Sequence, residues 1–343
     1  MDDAKCAQFI SGTMLVIRAP NWVGDVVMAT PVLHQALQQR GQLGLRIVIR
    51  THLEPLLVGG PLESVLVPIH SDRDELETYR RLKPESVLLL SSSLGSAMRA
   101  WRARVPKRVG LASSGRQVFL THAYYPPTQT LRRLVEPTAR AQQESARLAG
   151  IDLAEDRPVL HVRSQDAQAV ETQLAVLCGR PYMVVFPGAA GGRSKLWPAK
   201  YFAEAASVLA LQHQLAVVVA GGPGEEPLMH QVADAIPSAV NLATTQRTLH
   251  TLKALVAGAK LVLVGDSGPR WVAAAFGVPC VSVLGPNLPE LTATSLERAR
   301  IVRRTDLACA PCLERGCPLG HHACLSSLMP KAVVDAANEL LRV

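Results

Sequence analysis

Short apolar strands alternate with helices along this whole chain, and that alternation constrains the fold more than any other feature. In the second half, strands are expected over 183–186, 216–220, 260–264 and 280–284. Helices over 167–177, 199–211, 226–235, 249–257 and 269–276 interleave with them, and a terminal helix covers 331–342. The first half shows the same rhythm. Strands fall at 14–18, 45–50, 64–67, 86–90 and 107–111, and helices at 25–39, 52–58, 72–82, 94–102 and 136–149. Parallel strands need helical crossovers, so a β-α rhythm repeated in both halves predicts an α/β protein with two doubly wound parallel sheets. At 343 residues the chain exceeds what one core usually supports. Two Rossmann-like domains are expected, 1–165 and 166–343. The stretch 112–134 has no clear period and reads as a mobile loop.

Composition narrows the function classes. Aromatic residues make up only 4%, so Leu, Val and Ala must fill the cores. No apolar run approaches the roughly 18 residues of a membrane-spanning helix. The acidic start, Met1-Asp2-Asp3, does not read as a signal peptide, so a cytoplasmic location is expected. A formal charge of +8 favours anionic partners: a phosphorylated small molecule, an anionic membrane surface or nucleic acid. Nucleic acid is disfavoured, because there is no basic tail, no finger spacing with paired histidines and no aromatic RNA-binding strand. The basic clusters at 99–116, 132–133 and 298–304 each read as a solvated face.

Two strand-ending turns carry the chemistry. Met183–Phe186 runs into Pro187-Gly188-Ala189-Ala190-Gly191-Gly192-Arg193-Ser194-Lys195. Glycines let backbone N–H groups approach an anion, and Lys195 adds a point charge. The glycine spacing is not that of a Walker A loop. The spacing fits a phosphate cradle and an ordinary turn with a solvated lysine equally well. The strand Leu261–Val264 ends in Gly265-Asp266-Ser267-Gly268, which either binds a ligand at the helix N-terminus or caps the helix. Glu225, after the strand 216–220, suits either ribose hydroxyls or a helix start. In Ala19-Pro20-Asn21-Trp22-Val23-Gly24-Asp25, a carboxylate at the end of the first strand suits a general base, though capping is the commoner role. Asp72-Arg73-Asp74 sits in a polar run and reads as a helix start.

Cys309, Cys312, Cys317 and Cys324 place four of seven cysteines within 16 residues, together with His321 and His322. Such a cluster in a reducing compartment suggests zinc before disulfides, but the spacings of two, four and six intervening residues match no standard finger. A surface loop of reduced thiols fits as well. Cys6, Cys178 and Cys280 read as buried small apolar residues.

Four stretches together resemble glycosyltransferase family 9, the ADP-heptose:lipopolysaccharide heptosyltransferases. They are APNWVGDVVMATP (19–31), FPGAAGGRSKLWPAKY (186–201), GDSGPRWVAAAFGVPCVSVLG (265–285) and CAPCLERGCPLGHHACLSSLMP (309–330). The resemblance implies a GT-B architecture, two Rossmann-like domains facing across a cleft, with the terminal helix packing back on the first. It implies inverting, metal-independent transfer of heptose from ADP-L-glycero-β-D-manno-heptose to the lipopolysaccharide inner core, with no cofactor required, at the inner face of the inner membrane. Carried over by motif, Asp25 is the base, with Asn21, Trp22 and Gly24 on the acceptor side. Gly188, Ser194, Lys195, Glu225, Asp266, Ser267, Gly268 and Trp271 are then the donor-binding set. Two positions depart from the family pattern: Trp271 stands where the family has His, and Gly265 where Asn is common. Indole donates only, so Trp271 implies a reshaped donor pocket, another nucleotide sugar, or a non-catalytic binding paralogue.

Overall fold

A computed structural model describes residues 14–127, 136–189, 192–292 and 294–342. The chain divides after Arg157 into two compact units. The first unit contains β1 (Leu15–Arg18), α1 (Val23–Gly44), β2 (Leu45–Arg50), β3 (Leu66–Ile69), α2 (Asp72–Leu82), β4 (Ser86–Leu89), α3 (Leu94–Arg102), β5 (Lys107–Leu111), β6 (His122–Tyr124) and α4 (Thr138–Leu148). Its six strands pair in the order β3-β2-β1-β4-β5-β6, every ladder parallel. All four residues of β1 are buried, as expected of a central parallel strand covered by helices on both faces. α1 buries the run Val26–Leu33 in spite of Pro31, and non-helical Gly41 (φ 64°) bends its last turn.

The second unit contains α5 (Ser164–Gln173), β7 (Tyr182–Phe186), α6 (Ala199–His213), β8 (Ala216–Val219), α7 (Glu226–Ala233), β9 (Val240–Asn241), α8 (Leu249–Ala257), β10 (Leu261–Val264), α9 (Pro269–Phe276), β11 (Cys280–Val283), β12 (Ala299–Val302), α10 (Ala323–Ser326) and α11 (Pro330–Leu341). Its strand order is β12-β11-β10-β7-β8-β9, again all parallel. Counted from its own first strand, this is the order of the first sheet. In each sheet the order reverses at one point: between β1 and β4, and between β7 and β10. Ligands of doubly wound sheets bind outside the carboxyl ends of the strands at that reversal.

Several expectations are corrected. The stretch 112–127 is not one loop: Arg116–Phe119 forms a 3-10 turn and β6 adds an edge strand. Its three part-exposed residues carry too little apolar signal to stand out; 128–134 lie outside the described residues. The basic cluster 99–116 is a solvated face only in part: Arg102 and Arg104 are exposed, whereas Arg99 and Arg116 are buried. The cluster 298–304 contains edge strand β12, where Arg300 pairs with Glu339 of α11 at 3.3 Å. Arg132, Arg133 and Cys6 lie outside the described residues. Cys280 is buried, whereas Cys178 is exposed, in a left-handed turn (φ 49°) after Leu177. Asp72-Arg73-Asp74 is the helix start it was read to be: Ser71 and Asp74 form a capping box. Within the second unit α11 packs on α6, β11 and β12. Among the described residues no helix is long and apolar enough to cross a membrane.

Candidate functional site

At the reversal of the first sheet, the ends of β1 and β4 open into a pocket of about 400 Å³. Asn21, Trp22 and Asp25 line it with the serines after β4 and residues of α4. The helix cap here is Trp22, which makes no side-chain capping bond, so Asp25 stands within the first turn of α1 and does not cap it. Burial pushes its carboxyl up from 3.8 to about 6. That is the range in which a carboxylate works well as a general base near neutral pH. Trp22 is 61% exposed despite its size.

The turn carrying these residues is tied to a buried charge network that the motif does not reveal. Arg18, at the end of β1, pairs with Glu75 at 3.2 Å, both side chains fully buried. Glu75 also accepts from Arg99 (3.0 Å) and from the Tyr79 hydroxyl (3.1 Å). Arg18 then donates to Asn21 Oδ1 at 2.8 Å, and Asn21 donates to Ser91 Oγ at 3.3 Å. Asn21 is thus held between the ends of β1 and β4. Gln142 of α4 donates to the main-chain oxygen of Asp25 at 3.1 Å. The one sequence signal for this network was an arginine closing an otherwise apolar strand.

At the reversal of the second sheet, the loops after β7 and β10 meet. Lys195 Nζ lies 2.8 Å from Asp266 Oδ2, with both side chains largely shielded. Asn287, which sequence reasoning missed, also donates to Asp266 Oδ2. Asp266 therefore does not cap α9; Gly268 holds that position without a side-chain bond. Gly188 lies against the Glu225 side chain. A Cβ there would overlap the Glu225 carboxyl group, and Glu225 Oε2 accepts from Gly222 N–H at 2.7 Å. The loops after β7, β8 and β10 thus converge, with Ser267 and Gly268 part-exposed between β10 and α9. Ser194 points elsewhere, donating to the Glu314 carbonyl at 2.7 Å. Trp271 is only 5% exposed, with the Arg270 guanidinium 4.5 Å from its ring. So deeply buried, it offers a ligand little surface. Ala190 and Gly191 lie outside the described residues. Gly188→Ala should push the flexible Glu225 carboxyl group aside and break its bond to Gly222 N–H at little cost to the fold. Thermal unfolding should show Tm nearly unchanged, while ADP binding weakens if Glu225 serves the nucleotide.

Cys309, Cys312, Cys317 and Cys324 line a small recess beside Ser194 and Pro286. All four are free thiols, none fully exposed. Backbone N–H groups of residues 319–322 hold the Cys317 thiol below its usual range, and burial pushes Cys324 up. Among the described residues, no three His, Cys, Asp or Glu side chains form a ready-made metal site. The segment's visible work is packing: a Cβ at Gly192 would overlap the Arg315 carbonyl, and Trp197 donates to the Leu328 carbonyl at 2.9 Å. It braces the loop that carries Lys195.

Comparison with known proteins identifies the family. Lipooligosaccharide heptosyltransferase 2 of Haemophilus influenzae is 27% identical over 348 residues, covering 95% of this chain and 99% of that protein. Its counterpart in Campylobacter jejuni is 25% identical over 342 residues, covering 96% and 98%. The solved structure of Escherichia coli ADP-heptose lps heptosyltransferase II superposes with a TM-score of 0.77 at 23% identity, covering 96% of this chain and 99% of that one, which supports the same fold. The model of glycosyltransferase family 9 (heptosyltransferase) matches residues 77–323, well over half the chain. The protein is therefore a glycosyltransferase belonging to family 9, the heptosyltransferases.

Proposed function

We propose that this enzyme transfers heptose from ADP-L-glycero-β-D-manno-heptose to a heptose on the lipopolysaccharide inner core, with inversion and without a metal. The observation that carries the reading is the pair of sheet-reversal sites. One holds a carboxylate poised to take a proton, and the other a shielded lysine–carboxylate pair beside a glycine-rich turn. Heptosyltransferase 2 relatives nearly the full length of this chain support the sugar and the acceptor.

In this reaction Asp25 takes the proton of the acceptor hydroxyl. The freed oxygen bonds to the anomeric carbon from the face opposite the nucleotide, and the bond from that carbon to the phosphate oxygen breaks. ADP leaves with the bonding pair. Lys195 neutralises the charge that grows on the diphosphate, and the backbone around Asp266, Ser267 and Gly268 supplies N–H donors. Glu225 accepts from the ribose hydroxyls in this reading. One base and one stabilised leaving group suffice for an inverting displacement, so no step calls for a metal ion. The basic surface and the acceptor's lipid anchor fit peripheral work at the inner face of the inner membrane.

Two measurements test this. Calorimetric titration with ADP and ADP-heptose, chelator present, should show one site per chain. Failure of both to bind would sink the ADP-sugar donor. The acceptor-dependent rate should also follow one proton. A base must be ionised to act, and burial raises Asp25 to about 6. kcat/KM should therefore be level above pH 7 and fall tenfold per pH unit well below 6. A profile still level at pH 5 would remove Asp25 from the base role.

A further inference from the structure

The longest acid-free run of the chain spans residues 86–135: no Asp or Glu interrupts it, and eight of its residues are Lys or Arg. The run contains α3 and the 3-10 turn Arg116–Phe119, which pack against each other. α3 buries Ser96, Ala97, Arg99 and Ala100. Its other side carries Leu94, Met98 and Trp101, spaced i, i+4 and i+7, so they stand in one row along the helix. Leu94 is 45% and Trp101 51% exposed, although tryptophan is on average a well-buried side chain. The 3-10 turn widens the row. The Phe119 ring lies 5.5 Å from that of Trp101, and Val118 beside it is 73% exposed.

The charges that α3 and its following turn set beside this row are of one sign. Arg102 and Arg104 are exposed, and Lys107 and Arg108 partly so. Asp72 and Glu75 of the adjoining α2 are engaged elsewhere, paired with Arg99 at 2.9 and 3.0 Å. An apolar row edged by arginines matches the interface of an anionic bilayer, where guanidinium groups meet lipid phosphates and an indole sits at the headgroup level. A second copy of this chain is a poorer occupant, because a twofold contact would set arginine against arginine. The row also begins beside the acceptor-side pocket: Ser93, the residue before Leu94, lines the cavity that holds Asp25.

Resting on the transferase reading, in which the acceptor sugar is carried by a lipid, we infer that the exposed side of α3 and the turn Arg116–Phe119 form a docking face for anionic phospholipid. Trp101 enters the headgroup layer, and Arg102 and Arg104 meet lipid phosphates. Docking on this face holds the end of α3 that borders the acceptor pocket against the surface from which the acceptor projects.

The test uses the full chain and vesicles alone, with neither ADP-heptose nor acceptor. Co-sedimentation with mixed phosphatidylethanolamine and phosphatidylglycerol vesicles is compared with phosphatidylcholine vesicles. The wild type should partition onto the anionic vesicles about tenfold or more strongly, and added salt should reduce the difference. Arg102→Gln combined with Arg104→Gln should weaken anionic binding by about twenty-five-fold at low salt, about fivefold for each charge near such a surface. Both side chains are exposed, so Tm should stay unchanged. Trp101→Ser should weaken binding by about tenfold even at high salt, the loss of an apolar anchor. Wild type that ignores anionic vesicles, or variants that bind as the wild type does, would overturn the proposal. So would self-association, seen by ultracentrifugation and lost in the arginine variant, in a chain that does not bind vesicles. Vesicle binding of the expected pattern without heptose transfer to a lipid-free acceptor fragment would uphold the docking face and refute the transferase reading. Transfer without vesicle binding would do the reverse.

Discussion

Asp25→Asn should lower acceptor-dependent turnover by about 10²–10⁴-fold, the usual worth of a positioned general base, and leave the affinity for ADP unchanged. The two halves of this expectation come from separate places in the fold. Asp25 stands in the first turn of α1, whereas the proposal assigns the nucleotide to the loops after β7 and β10. The same substitution has a signature in stability. The Asp25 carboxyl is raised from 3.8 to about 6 in the folded chain, so folding favours its protonated form. That contribution is fully present below about pH 4 and is lost as the pH rises through 6. Asparagine stays neutral throughout. Asp25→Asn should therefore raise Tm at pH 8 and leave it unchanged near pH 4. A variant more stable yet inactive at pH 8 would mark a group retained for chemistry against the interest of the fold. Equal Tm at both pH values would show that burial does not perturb Asp25.

Lys195→Ala should weaken ADP-heptose binding by roughly tenfold and turnover by about 10²–10³-fold. The larger effect on turnover follows from where charge develops. The diphosphate gains negative charge as the sugar bond breaks, so the lysine interacts more strongly with the transition state than with the bound donor. In the free enzyme the ammonium lies 2.8 Å from Asp266, which fixes its position before the donor arrives. Removing it leaves Asp266 with Asn287 as its remaining side-chain donor, so a modest loss of Tm should accompany the kinetic loss. Lys195→Arg should restore part of the binding and less of the turnover, because a planar fork does not reproduce a point charge. Losses confined to KM, with kcat intact, would contradict a role in leaving-group departure.

The parallel architecture could be read from the sequence because buried strands such as Leu15–Arg18 and Leu261–Val264 are short and almost wholly apolar, with helices between them. The ends of β1, β7 and β10 could be read for the same reason, since each apolar run stops at a glycine- or aspartate-bearing turn. What stayed hidden depends on tertiary contact. β6 and β12 are edge strands of mixed polarity and leave no period-two pattern. Glu75 and Arg99 sit on helices that look amphipathic and exposed, yet both are buried, Glu75 paired with Arg18 and with Arg99. Glu136 read as the first residue of a helix, and only the fold brings the Tyr124 hydroxyl and the Asp25 pocket to it. Asn287 follows β11 in a loop with no motif of its own, and its bond to Asp266 spans 21 residues. Trp271 is expected to reshape the donor pocket, and only the fold shows that it is buried with the Arg270 guanidinium over its ring.

The most direct test of the transferase account is one reaction. Purified enzyme, chelator, ADP-L-glycero-β-D-manno-heptose and a heptose-terminated inner-core acceptor are incubated at pH 8, and the product linkage is determined by NMR. The account requires one ADP released per heptose transferred, an α-linked product, and loss of both signals in Asp25→Asn. A β-linked product, or transfer undiminished in that variant, would contradict it.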